Sequence, residues 1–130
     1  MTECLILGDS IAIGTHNYRP ECALYATSGI TSRAWVHRYA NANLTAKTAI
    51  ISLGSNDPGY GSRKNLEAIR SRVQADTVFW ILPTIHPQVQ ELVKGVAAEH
   101  GDKIVYIAGI QQDGVHPNAT GYKTIAKETR

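Results

Sequence analysis

CLILGDS, residues 4–10, decides the fold, because a continuous apolar run passes directly into a polar turn. Four more short apolar runs follow along the chain, and apolar and polar residues do not alternate within them. Such runs are typical of strands covered on both faces, as in a parallel sheet. The five runs are CLIL (4–7), CALYAT (22–27), TAIISL (48–53), TVFWIL (77–82) and KIVYIA (103–108).

Helical patterns separate the later runs. Apolar residues at helical spacing predict helices over 63–75 and 87–100, a weaker pattern predicts one over 31–41, and a last helix begins near residue 118. Between the first two runs we expect only a short turn. The candidate caps of these helices are Thr31 or Ser32, Gly101 and Asn118.

The order of elements is strand, turn, strand, and then helix and strand in alternation up to a final helix. This order predicts an α/β fold, with a parallel sheet between two helix layers and right-handed crossovers. The chain of 130 residues suits one domain over 1–130, which folds without needing a metal or a disulfide. Because ligands bind beyond the carboxyl ends of parallel strands, the residues after each run are the candidate site.

Composition and charge argue against several classes of partner. The formal charge is +2, and the 13 Lys and Arg residues form no cluster, which argues against nucleic acid or an anionic membrane. No apolar run reaches transmembrane length and no signal peptide is visible, so we expect a cytoplasmic protein. Export through a signal missing from this sequence, or packaging in a virus particle, stays open. An oligomer is possible, but nothing in the sequence indicates one.

The two cysteines lie in apolar, strand-like segments. Cys4 and Cys22 are too few for a disulfide scaffold and lack the spacing of metal ligands. We therefore expect two buried free thiols. A disulfide between neighbouring strands is the alternative.

Residue types suited to nucleophilic catalysis follow the first and last runs. Ser10 ends GDS, and a serine hydroxyl needs a base to become nucleophilic. His116 in DGVHPN can be that base, and Asp113, three residues earlier, can fold back to accept from its other ring nitrogen. Each residue alone also suits an ordinary turn. His86, after the fourth run, is a competing base without a nearby carboxylate in sequence.

Acyl transfer also requires hydrogen-bond donors for the oxyanion that develops on the substrate. The backbone N–H groups of Ser10 and Gly29 and the side-chain amide of Asn56 are candidates. Gly29 lacks a Cβ, which lets its backbone approach a ligand closely. Ordinary turn geometry would also account for Gly29 and Asn56.

Taken together, these motifs resemble the SGNH hydrolase family, also called GDSL-type esterases. The resemblance spans residues 4–122 and implies a flavodoxin-like α/β/α sandwich with five parallel strands in the order 2-1-3-4-5. Each matching motif follows an apolar run, and the motifs keep the family's order. They are GDS (8–10), Gly29 in TSGIT, GSND (54–57) and DGVHPN (113–118).

The resemblance implies a role for each of these residues. Ser10 is the nucleophile, His116 the base and Asp113 the carboxylate that orients it. The N–H groups of Ser10 and Gly29, with the Asn56 amide, line the oxyanion hole. No metal or organic cofactor is implied.

The sequence departs from the family pattern in two ways. Ile11 replaces the commoner leucine after GDS, and the loops after strands one, three and four are short. Short loops predict a shallow, open site, which favours a short acyl group such as acetyl on a larger carrier, for example a carbohydrate. Asp9, Tyr18 and Tyr60 are candidate substrate contacts.

Three other functions stay open at this point. The domain could be an inactive binding module of the same fold, or the same site could act as an acyltransferase or thioesterase. A nucleotide- or phosphate-binding flavodoxin-like domain is a further alternative, because GDSIAIGT (8–15) is a glycine-bounded loop after the first strand. That loop lacks the G-K-[ST] ending of a P-loop, and no G-x-G-x-x-G occurs in the chain.

Overall fold

Five parallel strands form one sheet in a computed structural model that describes residues 2–58 and 63–130. The strand order is β2-β1-β3-β4-β5, which confirms the predicted topology. The five strands begin and end within a few residues of the predicted runs. They are β1 (Thr2–Gly8), β2 (Ala23–Ala26), β3 (Thr45–Ser52), β4 (Gln74–Ile81) and β5 (Lys103–Val105).

Five helices connect and follow these strands within the described residues. They are α1 (Ser10–His16), α2 (Ser32–Arg38), α3 (Arg63–Arg72), α4 (Pro87–His100) and α5 (Ala119–Glu128). The side chains of Thr31 and Asn118 cap α2 and α5, and Gly101 ends α4 in the left-handed region at φ 68°. No helix in the described segments is long and apolar enough to cross a membrane.

The prediction of only a short turn between the first two strands is wrong, because α1 lies there. Asp9 caps this helix by accepting a hydrogen bond from the N–H of Ile11. The helix buries Ile11, Ala12 and Thr15. Seven residues are too few for the helical spacing to stand out, and Gly14 within them is typical of a turn.

Two apolar clusters lie on opposite faces of the sheet. Within β1, Leu5 and Leu7 belong to the cluster that contains residues of α2, α3 and α4, whereas Cys4 and Ile6 belong to the cluster that contains residues of α1 and α5. Both faces of the strand are therefore buried, which explains why the apolar run is continuous. The domain has the three layers predicted for it.

The expectation of two free thiols is wrong, because Cys4 and Cys22 form a disulfide. The parallel register pairs Leu5 with Ala23. Cys4 and Cys22, which precede these two residues, are therefore also neighbours, and their Cα atoms lie 4.7 Å apart. Strand pairing thus places the two sulfur atoms within bonding reach. The alternative prediction, a disulfide between neighbouring strands, is confirmed.

Candidate active site

Ser10 lies at the carboxyl end of β1, where the strand turns directly into α1. The turn is tight because Gly8 packs its Cα against β3: a Cβ there would lie 1.9 Å from the Ser52 carbonyl oxygen. Gly8 also adopts φ 143°, a backbone conformation that favours glycine. The N–H of Asp9 then donates to the same Ser52 oxygen over 3.0 Å. These contacts fix the position of the backbone that leads into Ser10.

His116 and Asp113 reach Ser10 from the loop between β5 and α5. The Oγ of Ser10 lies 2.7 Å from Nε2 of His116, across a sequence separation of 106 residues. The Nδ1 of His116 lies 2.6 Å from Oδ2 of Asp113. With the ring proton on Nδ1, His116 donates to Asp113 and accepts from Ser10. The structure therefore brings together the three residues that the sequence singled out.

Asp113 is held as a carboxylate by its own turn. Its Oδ1 accepts from the backbone N–H groups of His116 and Val115, each over 2.9 Å. These two hydrogen bonds, with the imidazole of His116, lower the pKa of Asp113 to about 2. The group stays negative throughout the neutral range, as orienting an imidazole requires.

Hydrogen bonds outside the three residues fix the shape of the loop. The backbone of Gln111 donates to the carbonyl oxygen of His116 over 2.8 Å, and the Gln111 side chain donates to that of Pro117 over 2.9 Å. Thr84, after β4, donates through its hydroxyl to the carbonyl oxygen of Gly114 over 2.6 Å. Gln111 and Thr84 were missed in the sequence, since nothing in their local pattern indicates these contacts.

The candidate oxyanion donors lie on three different segments. The N–H of Ser10 is in the first turn of α1, where it has no acceptor within the helix. Gly29 is exposed at φ 76°, and no atom lies within 4 Å of the position a Cβ would take. Asn56 is exposed and donates from Nδ2 to the Ile30 carbonyl oxygen over 3.2 Å, which leaves its second amide hydrogen available.

Asp57 connects two of these segments. Its carboxylate accepts from the backbone N–H of Ser32 over 2.7 Å and from the Ser32 hydroxyl over 2.6 Å, and the residue is buried. The loop that carries Asn56 is thereby tied to the start of α2, three residues after Gly29. The sequence signal for this contact was the aspartate that ends GSND.

The expectation that Asp9 contacts substrate is wrong, because its side chain is fully buried. Its Oδ1 accepts from the N–H of Ile11 and from the Ser52 hydroxyl, each over 3.0 Å. Its Oδ2 is buried and has no hydrogen-bond partner among the described residues. Burial disfavours the charged form and raises the pKa of Asp9 to about 6. Asp9 caps the helix that carries Ser10 rather than facing solvent.

Three further residues were suggested for the site by the sequence: Tyr18, Tyr60 and His86. Tyr18 stacks on Tyr122 of α5, with ring centroids 6.2 Å apart, and its contact with substrate stays a prediction. Tyr60 lies outside the described residues. His86 precedes α4 at φ 60°, and its ring makes no cap hydrogen bond. The imidazole that forms a hydrogen bond with Ser10 is that of His116 and not that of His86.

Asp9→Asn tests the buried carboxyl. The pKa of Asp9 is raised from 3.8 to about 6 on folding, so the wild type is expected to lose stability as pH rises through this interval. The loss reaches about 3 kcal/mol at pH 8, and the Asp9→Asn variant, which has no carboxyl to ionise there, would not show it. Urea unfolding at pH 4, 6 and 8 should show the stability difference between variant and wild type growing in the variant's favour as pH rises. A difference that stays constant with pH would contradict this assignment.

Solved structures of other proteins are similar to this fold, although their sequences are distant. No protein-family model matches the sequence, and the search of curated proteins finds no match either. A protein from Bacteroides uniformis assigned as a GDSL-like lipase is similar in structure, with TM-score 0.69, 14% identity and coverage of 98% of this chain and 93% of that one. A Bacteroides fragilis protein assigned as an acylhydrolase has TM-score 0.66, 18% identity and coverage of 97% and 83%.

A third similar structure is the catalytic domain of Streptococcus pneumoniae peptidoglycan O-acetyltransferase A, with a methylsulfonyl adduct. Its TM-score is 0.60 at 15% identity, with coverage of 96% of this chain and 88% of that one. Identities this low establish common architecture and not common activity. Strand order, helix placement and these structural similarities agree that this chain has an SGNH hydrolase-like fold.

Proposed function

We propose that the protein is a serine hydrolase that cleaves short-chain carboxylic esters through an acyl-enzyme. The observation that carries this proposal is the continuous hydrogen-bonded series from Ser10 Oγ through the His116 ring to the Asp113 carboxylate. A serine, an imidazole and a carboxylate in this order are the groups that nucleophilic acyl transfer uses.

Acylation begins with the proton on the Ser10 hydroxyl. As Oγ attacks the ester carbonyl carbon, Nε2 of His116 accepts this proton, and Asp113 stabilises the imidazolium that forms. Negative charge develops on the carbonyl oxygen, which accepts from the N–H groups of Ser10 and Gly29 and from the Asn56 amide. The carbon–oxygen bond to the alcohol then breaks, and the alcohol leaves with the proton held on His116.

Deacylation uses the same groups with water as the nucleophile. Neutral His116 accepts a proton from a water molecule as the water oxygen attacks the acyl carbon. When the tetrahedral intermediate collapses, the acid departs and the proton returns to Ser10 Oγ. One ester and one water therefore give one alcohol and one acid, and no metal or organic cofactor is required.

The exposure of the site supports a short acyl group on a larger carrier such as a carbohydrate. The side chains of His116 and Asp113 are 34% and 46% exposed, so solvent reaches the base directly. A long acyl chain gains binding energy only where it is buried, at about 0.8 kcal/mol per methylene. An acyl chain that lies against these exposed side chains stays in contact with water and gains little of that energy.

A chain-length series tests this preference. We expect kcat/KM for p-nitrophenyl octanoate to be no higher than that for the acetate, because the six additional methylenes remain in water and contribute no binding energy. Initial rates should be corrected with Ser10→Ala as the background. Faster cleavage of the octanoate would refute the short-acyl specificity.

An acyltransferase is the second candidate, on the basis of the structural similarity to the O-acetyltransferase domain. Transfer and hydrolysis share the acyl-enzyme and differ in whether a sugar hydroxyl or water attacks it. Product analysis with an acetyl donor and chito-oligosaccharides separates the two, because transfer adds acetyl to the sugar. A thioester donor in the same assay tests thioesterase activity.

The cytoplasmic location remains a proposal, and the disulfide weighs against it. Disulfides persist in oxidising compartments and are rare in the cytosol. Cys4 and Cys22 are both buried, so their bond is shielded from solvent thiols. Fractionation of the native host with alkylation of free thiols would report location and redox state together.

A further inference from the structure

An open cavity of about 730 Å³ adjoins Gly29, one of the candidate oxyanion donors. The cavity lies between residues 27–31, which follow β2, and the face of α2 that carries Arg33, His37 and Arg38. An ester carbonyl oxygen that accepts from the N–H of Gly29 would therefore hold the rest of the substrate at the mouth of this cavity. The cavity is large compared with an acetyl group, so space remains for the alcohol portion.

The wall of this cavity carries uncompensated positive charge. Arg33 and Arg38 are exposed and make no hydrogen bond or ion pair with any residue in 2–58 or 63–130. No acidic residue among those described lines the cavity, and both carboxylate oxygens of the nearby Asp57 accept from Ser32. Other arginines are engaged: the guanidinium groups of Arg19, Arg63, Arg70 and Arg72 bond carboxylates or backbone carbonyl oxygens.

We propose that this cavity is a subsite for an anionic group, a carboxylate or a sulfate, on the alcohol portion of the ester. The inference rests on the proposed function, because the short acyl group leaves the cavity to the carrier. A guanidinium presents a planar fork of N–H donors that matches the oxygens of a carboxylate or sulfate. Arg33 and Arg38 supply two such forks beside Gly29, and neither has a protein partner in the described part of the chain. The cavity therefore selects a negatively charged substrate.

Matched substrates test the proposal. The probes are 4-acetoxybenzoate and 4-acetoxybenzenesulfonate, which are anionic, and 4-acetoxybenzamide, which is neutral. In the double variant Arg33→Gln with Arg38→Gln, we expect KM for the anionic probes to rise about five- to tenfold with kcat unchanged, and both constants for the amide to stay as in the wild type. The sulfonate stands in for a sulfate, so the two anionic probes separate a carboxylate from a sulfate preference, and either one supports the subsite.

Two further measurements distinguish a subsite from general surface charge. The control Lys47→Gln with Lys127→Gln removes the same charge from exposed positions on β3 and α5 and should leave KM for all three probes unchanged. Arg33→Lys with Arg38→Lys keeps the charge but not the fork, and should give an intermediate KM. An equal KM for the anionic probes in wild type and the glutamine variant would overturn the proposal. So would a KM effect confined to p-nitrophenyl succinate, whose charge is on the acyl side.

Failure of the subsite can be separated from failure of the proposed function. If no ester is cleaved faster by the wild type than by Ser10→Ala, the hydrolase proposal fails and kinetics no longer report on the cavity. NMR of the Arg33 and Arg38 Nε–H groups in Ser10→Ala then tests binding alone. We expect both resonances to shift with galacturonate and not with galactose; no shift with galacturonate would overturn the subsite.

Discussion

Ser10→Ala is expected to lower kcat for p-nitrophenyl acetate by at least about 10⁴-fold, because the variant lacks the nucleophile of the proposed acyl-enzyme. The substitution removes the hydroxyl oxygen that is hydrogen-bonded to His116. Folding should be nearly unaffected, with an unfolding free energy within about 1 kcal/mol of the wild type. Steady-state kinetics and urea unfolding on the same preparations check both halves. A variant that retains the wild-type rate would refute the hydrolase proposal.

Asp113→Asn provides a graded control for this prediction. Oδ1 of Asp113 is already occupied by the N–H groups of Val115 and His116, so the new amide nitrogen would face Nδ1 of His116. That favours the tautomer with the proton on Nε2, which cannot accept from Ser10, and we expect kcat to fall about 100-fold or more. The exposed Asp76→Asn should not change the rate. Equal rates for Asp113→Asn and Asp76→Asn would remove Asp113 from the mechanism.

The acid side of the pH profile gives a further distinction between the two groups. The rate should fall at low pH, because protonated His116 cannot accept the Ser10 proton. The pKa of Asp113 is about 2, so its protonation does not contribute to this fall above about pH 4. A rate that does not fall on acidification would argue against His116 as the base.

Much of the fold could be predicted because parallel strands buried on both faces leave continuous apolar runs. Leu5 and Leu7 face one layer of helices and Ile6 the other, so a single short run already implies three layers. The short helix α1 was missed because its cap, Asp9, is equally typical of a turn. Asp9 also accepts a hydrogen bond from the hydroxyl of Ser52, 43 residues away in sequence, and no local pattern indicates that contact.

The residues of the triad could be named from their motifs, whereas their mutual distances could not. That Ser10 and His116 meet depends on β1 and the loop after β5 ending at one edge of the sheet, which only the strand order determines. The disulfide has the same cause: the pairing of Leu5 with Ala23 brings the cysteines together. Support from Thr84 is equally long-range and leaves no local pattern, and GSND indicates Asp57 without indicating its partner, Ser32.

Gly8→Ala is expected to cost more than about 4 kcal/mol of stability, a large part of the roughly 5–15 kcal/mol that typically stabilises a domain. The new Cβ would lie 1.9 Å from the Ser52 carbonyl oxygen and 2.7 Å from its carbon, which are rigid backbone atoms. The strand cannot move away freely, because Thr27 donates to the Gly8 carbonyl oxygen over 3.1 Å and Asp9 donates to Ser52 over 3.0 Å. Circular dichroism and urea unfolding would measure the loss.

Gly101→Ala separates the close contact from the backbone conformation. Gly101 also has positive φ, at 68°, but no atom lies within 4 Å of its Cβ position, so alanine there should cost only about 1 kcal/mol. A much larger loss for Gly8→Ala would show that the approach of β1 to Ser52 is what requires glycine. Equal losses would attribute both effects to the backbone angle and contradict that explanation. Any soluble Gly8→Ala protein should also have a lower kcat, because the same contact positions Asp9 and therefore the helix that carries Ser10.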